Sequence, residues 1–157
     1  MYKIKVLILV FLLNGCVQNN YTQQNSALIV FKTPTLKFAD MGFIYQNPTN
    51  IKLEIYAIGQ ALMKLNISNK QICMSRLKCM SPKTFNKEVL NINYPQNILS
   101  NIFRGKAIFD KIGLKKKKRG FEQKIFQKGK FDISYKVIGK KIIFRDKLNN
   151  ILIKIKR

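Results

Sequence analysis

The chain contains no histidine, no tryptophan and only seven acidic residues among its 157. Without histidine it lacks the commonest general acid–base and the commonest metal ligand. The carboxylates are Asp40, Glu54, Glu88, Asp110, Glu122, Asp132 and Asp146, single and scattered, with no spacing that pairs two for acid–base work or gathers a metal site. Serine, threonine, lysine and tyrosine are present, but no G-x-S-x-G or S-x-x-K pattern accompanies them. These absences exclude most enzymes and predict a non-catalytic protein with no metal and no dissociable cofactor. No apolar run approaches the ~20 residues that a membrane-spanning helix needs. No internal repeat of solenoid or propeller length is present.

What is abundant is positive charge. Thirty lysines and arginines give a formal net charge of +23. Hydrophobic residues make up 46 %, so the chain is not a disordered basic tail. Its length fits a single domain, one that buries roughly two-thirds of the surface its unfolded chain exposes. Such a charge suits a polyanionic partner, yet lysine, asparagine and isoleucine are all plentiful, which is also what an AT-rich genome produces. The basic residues are spread along alternating strand faces rather than gathered beside stacking aromatics, so nucleic acid is not the expected partner.

The N-terminus reads MYKIKVLILVFLLNGC. Lys3 and Lys5 precede an apolar run from Val6 to Leu13, too short to span a bilayer and arranged as a secretory signal. Leu13-Asn14-Gly15-Cys16 resembles the bacterial lipobox. That resemblance implies cleavage before Cys16, a diacylglycerol on its thiol and an N-acyl chain on the new amino group. Such anchoring exceeds the two signals that stable membrane attachment requires. Val17 follows the cysteine, where an Asp favours inner-membrane retention in enteric bacteria, so outer-membrane sorting is expected. Losing residues 1–15 removes Lys3 and Lys5 and lowers the net charge from +23 to +21. Residues 16–26 then read as an acylated cysteine and a polar, flexible tether, and 27–157 as one domain.

That domain reads as mainly β. Ala27–Phe31 and Leu36–Tyr45 are apolar runs, and Asn47-Pro48-Thr49-Asn50 is a turn. Ile51, Leu53 and Ile55 alternate with polar residues, and so do Met63, Leu65 and Ile67 beyond a link at Ile58-Gly59-Gln60, which makes a hairpin. A shorter hairpin spans Ile72 to Met80. It carries Cys73 and Cys79, either a disulfide pair in an oxidising compartment or two free thiols. Two cysteines alone are too few to ligate zinc. Ser81 caps a helix that has Pro82 at its first position and runs to about Leu90. Pro95 opens a second helix with Ile98, Leu99, Ile102 and Phe103 on one stripe and Gly105 past its end. From residue 106 the chain returns to strands, with Lys115-Lys116-Lys117-Lys118-Arg119-Gly120 as a solvated turn. Further strands follow at Phe131–Val137, Ile142–Phe144 and Ile151–Lys156. The expected fold is an α+β, mainly antiparallel structure: an incomplete barrel or strongly curved sheet covering two short helices.

The order of features across most of 27–157 resembles LolB-like outer-membrane lipoproteins of the LolA/LolB type. The residues are Phe43-Ile44-Tyr45-Gln46 and a turn, the strand Ile51–Tyr56, Ala57-Ile58-Gly59-Gln60, the strand Leu62–Ile67, Tyr94-Pro95-Gln96-Asn97-Ile98-Leu99 leading to Ile102-Phe103-Arg104-Gly105-Lys106, and the last hairpin Ile142–Lys156. The chain is shorter and more basic than typical members, and its Cys73/Cys79 pair is not a hallmark of them. The resemblance implies a monomeric receptor facing the periplasm. Such a receptor accepts lipoprotein acyl chains from a periplasmic LolA-type carrier, whose negative surface a basic partner attracts, and passes them into the inner leaflet of the outer membrane. It implies an apolar residue on a protruding loop, matched here by Ile58 before Gly59, although Ile58 in a hairpin core is the plainer reading. It also implies an acyl cavity, for which the apolar strand and helix faces supply Ile29, Phe31, Leu53, Ile55, Met63, Leu65, Ile98, Ile102, Phe103, Phe131, Ile133 and Tyr135. An ordinary packed core uses the same residues. The competing expectation is a structural or assembly lipoprotein that binds anionic glycolipid or peptidoglycan through Lys115, Lys116, Lys117, Lys118 and Arg119 and the basic C-terminus.

Overall fold

A computed structural model describes residues 20–75 and 78–157. Eleven strands form one open sheet. They are β1 (Gln23–Lys32), β2 (Lys37–Gln46), β3 (Ile51–Ala57), β4 (Gln60–Ile67), β5 (Ile72–Met74), β6 (Lys78–Met80), β7 (Leu114–Lys117), β8 (Gly120–Gln127), β9 (Phe131–Ile138), β10 (Lys141–Asp146) and β11 (Ile151–Lys156). Their spatial order is β6-β5-β4-β3-β2-β1-β11-β10-β9-β8-β7, every neighbouring pair antiparallel. Short turns between consecutive strands produce two meanders. The first strand of one pairs with the last of the other, Ile29 opposite Ile155 and Phe31 opposite Ile153. The expected class holds: a mainly antiparallel, curved sheet with two short helices.

Alternation decides which face is buried. Ala27, Ile29 and Phe31 point inward from β1, Leu53 and Ile55 from β3, and Ile151, Ile153 and Ile155 from β11. The two helices supply the other side of this core: α1 (Pro82–Val89) through Phe85 and Val89, and α2 (Ile98–Arg104) through Ile98, Leu99, Ile102 and Phe103. Phe103 stacks on Phe31 at 6.5 Å between ring centroids. Ser81 caps α1 as its position predicts, its hydroxyl accepting from the Thr84 amide at 3.1 Å. Gly105 closes α2 in the left-handed region at φ 66°.

Four expectations change. Gln23–Ser26 are not tether: they form the start of β1, paired with Phe43–Gln46. Their polar composition reflects a strand end exposed to water, and their backbone is satisfied by β2. Pro95 does not begin α2. Its carbonyl accepts from Ile98 in a turn, and the helix starts at Ile98. Lys115–Lys117 are not a turn but most of edge strand β7, with only Lys118 and Arg119 joining it to β8. A short lysine-rich strand is how an exposed edge avoids pairing with other chains. Residues 106–113 are an irregular link with a 3-10 turn at Phe109–Lys111, not a strand.

Candidate functional site

β3 and β4 join through a two-residue turn at Ile58 and Gly59, closed by Ala57 opposite Gln60. Both residues have positive φ, 50° for Ile58 and 75° for Gly59. Positive φ at both central positions is the tight hairpin geometry that follows strand twist. Gly59 adopts it without strain. Ile58 does not, because a β-branched side chain in the left-handed region is a steric outlier costing about 1–2 kcal/mol. Nor does Ile58 recover that cost by packing, since its side chain is fully exposed. The plainer expectation, Ile58 in a hairpin core, is therefore not what the fold provides. An apolar residue is held outward on a strained backbone.

Next to the tip, β4 carries an extra residue. Ile55 faces Met63 and Tyr56 faces Ala61, so Leu62 has no partner across the pair. Leu62 is 57 % exposed. A bulge beside a site re-aims side chains there. On the outer face, Met41 of β2 lies opposite Leu28 of β1, and both are exposed. Phe43, one outward position further along β2, is also exposed. Alternation had signalled these positions, since Met41 and Phe43 have the opposite parity to the buried Gly42 and Ile44 of β2, and Leu28 to the buried Ala27 and Ile29 of β1. The apolar character of Leu28, Met41 and Phe43 hid that outward parity.

Below this apolar patch lies a polar–aromatic cluster that the sequence did not reveal. Glu54 is buried although it points outward, because Tyr56, Lys52 and Lys64 cover it. The Tyr56 hydroxyl donates to Glu54 Oε2 at 3.0 Å. Lys52 Nζ and Lys64 Nζ stand 3.5 and 3.6 Å from Oε1. Burial works to raise the Glu54 carboxyl, but the Tyr56 bond and the two lysine charges outweigh it and hold it below the usual carboxylate range. Lys52 Nζ also lies 4.0 Å from the Tyr45 ring centroid, a cation–π contact. The Tyr45 hydroxyl is raised by burial and by the Glu54 charge, and that of Tyr56 by its bond to Glu54.

All twelve acyl-cavity candidates are buried within one continuous core. They pack against one another and the helices, while the clefts of about 240 and 440 Å3 near the β2–β3 and β4–β5 turns are lined by other residues, among them Asn50, Ser68 and Gln71. Tyr135 spans this core and donates to the Lys106 carbonyl at 3.0 Å. Burial pushes its hydroxyl well above the ordinary tyrosine value. Cys73 and Cys79 face each other across β5 and β6 and are joined as a disulfide. The run Lys115–Arg119 lies exposed at the opposite edge of the sheet, on β7 and the turn to β8, far in strand order from Ile58. Lys117 of that run pairs with Glu122 at 3.5 Å. Cys16 and residues 1–15, expected as a signal segment, lie outside the described residues. Among the described residues no helix is long and apolar enough to cross a membrane, and no group of three metal-ligating side chains gathers.

No protein-family model matches this chain, and no curated protein matches it either.

Proposed function

We propose that the chain is a lipid-anchored envelope protein that receives lipoprotein acyl chains from a periplasmic carrier and leads them into the inner leaflet of the outer membrane. The observation that supports this reading is the turn at Ile58-Gly59, where a fully exposed isoleucine is kept outward at φ 50°. Burying such a side chain in the acyl region of a bilayer gains about 1.5–3 kcal/mol. That is enough for a shallow, reversible wedge and far too little for permanent insertion. The lipid on Cys16 holds the protein at the bilayer, and the tip supplies the local disturbance through which acyl chains pass. Direction comes from differential affinity for the acyl chains along the route and requires no nucleotide. The high positive charge attracts an acidic carrier and an anionic leaflet.

The twelve candidate residues are buried in one core beneath the helices. In this reading acyl chains enter when α1 and α2 move away from the sheet, exposing Phe31 and Phe103 together. The decisive experiment is depletion of the protein and complementation with Ile58→Glu. Mature lipoproteins should accumulate on the periplasmic carrier in both cases. Normal sorting on depletion would overturn the receptor function, and normal sorting with Ile58→Glu alone would remove the role given to the tip.

A second reading, binding of anionic glycolipid or peptidoglycan, draws on the exposure of Lys115–Arg119 along edge strand β7. Replacing Lys115, Lys116, Lys117 and Lys118 with Gln should abolish that binding while lipoprotein sorting continues.

A further inference from the structure

The outer face of β1–β4 carries an arrangement that the tip alone does not explain. A row of rings crosses it. Tyr21 packs on Tyr45 at 5.9 Å, Tyr45 on Phe43 at 6.2 Å, and Phe43 on Tyr56 at 5.9 Å. The row starts where the described chain starts, beside Asn20, and ends at Tyr56, two residues before Ile58. Leu28, Met41 and Leu62 flank its far end, all exposed. The register sets Leu28 opposite Lys156, and Lys156 opposite Lys141, so lysines border the apolar patch on the β11 side. Glu54 is the one acidic side chain with outward parity on these four strands, and Lys52 and Lys64 neutralise it.

We infer that this face lies along a bilayer surface, and that its occupant is the headgroup interface of an anionic phospholipid membrane. Three observations identify that occupant. Tyrosines with one apolar and one wet end belong at the membrane–water boundary. Lysines bordering an apolar patch complement anionic headgroups. The patch is continuous with the Ile58 tip, so tip and face meet one bilayer together. Chain length agrees: Cys16 stands four positions before Asn20, so the acyl groups attach at most roughly 14 Å from Asn20 at the start of the row. A protein tethered at that end and wedged at Ile58 is held at two points and lies down on the face between them. The inference rests on the lipid-anchored reading above and adds the pose of the domain.

The absence of tryptophan makes the test direct. The full lipidated chain is reconstituted in vesicles of phosphatidylethanolamine and phosphatidylglycerol, each variant carrying one tryptophan: Phe43→Trp, Met41→Trp, Ile58→Trp, or Lys124→Trp on distant strand β8. Lipids brominated at shallow or deep acyl positions serve as quenchers. Met41→Trp and Phe43→Trp should shift to the blue and lose emission to the shallow quencher, Ile58→Trp should lose more to the deeper one, and Lys124→Trp should be unaffected. If the Met41 and Phe43 probes behave like Lys124 while Ile58→Trp is quenched, the proposed pose is overturned and the tip survives. If Ile58→Trp is also unquenched, the tip reading falls with it. A protein that does not float with the vesicles overturns both. Either the Met41 or the Phe43 probe suffices if the other disturbs folding.

Discussion

At the scale of single residues, the informative feature is a conflict between position and residue type. A tight hairpin turn with positive φ at its first central position favours asparagine or glycine, and the chain places isoleucine there. Replacing Ile58 with Asn should therefore stabilise the domain by about 1 kcal/mol in urea unfolding, while reducing vesicle association and lipoprotein delivery. A variant that is no more stable, or delivers normally, would break the link between strain and function. Glu54 gives a second residue-scale expectation. Its carboxyl is held below the usual range, so it contributes stability that is complete above the unfolded value and lost as the pH falls through the folded one. Stability should begin to decline as the pH drops below about 4.5, and Glu54→Gln should flatten that part of the profile. An unchanged profile would mean that the Tyr56 and lysine contacts do not form in solution.

At the scale of elements, the edges of the sheet are managed in two ways. β7 is short and lysine-rich, which repels pairing. β6 is held by the Cys73–Cys79 bond, whose sequence separation is only 6. Closing so small a loop contributes below about 3 kcal/mol, and mostly to local order. The double variant Cys73→Ser, Cys79→Ser should therefore fold, with faster amide exchange confined to residues 72–80. Exchange that quickens across the whole sheet would show that this hairpin anchors the fold rather than trims its edge. The same scale explains which boundaries were legible in the sequence. Ser81-Pro82 and Gly105 announced helix ends because caps are local chemistry. The start of β1 at Gln23 was not legible, because a polar strand end is recognised only by the partner that pairs with it.

At the scale of the whole molecule, the proposed acyl transfer would require the buried core to open between helices and sheet. Phe103 of α2 stacks on Phe31 of β1 and so joins the helix layer to the middle of the sheet. Phe103→Ala should cost about 3–5 kcal/mol in unfolding free energy and should raise affinity for a fluorescent fatty acid, since it opens space where the helices must part. Lost stability with no gain in fatty-acid binding would place the acyl route elsewhere, away from the helix–sheet interface. The charge excess belongs to this scale as well. It is a property of the whole surface, spread over both meanders, and acts on partners at a distance rather than on the fold.

The amino-acid sequence determined the fold class of this protein: the alternating strands and the two short helices between them. Those follow from local periodicity and from residue chemistry, which need no neighbours to be read. The tertiary structure decided what alternation leaves open. It turned Ile58 out of the hairpin core because the turn, not hydrophobicity, sets the direction of that side chain. It set Tyr21, Tyr45, Phe43 and Tyr56 in one row on the outer face, because register alone brings residues from separate strands side by side. It buried the twelve candidate side chains in one core shared by sheet and helices, because close packing of the helices against the sheet is a property of the assembled layers.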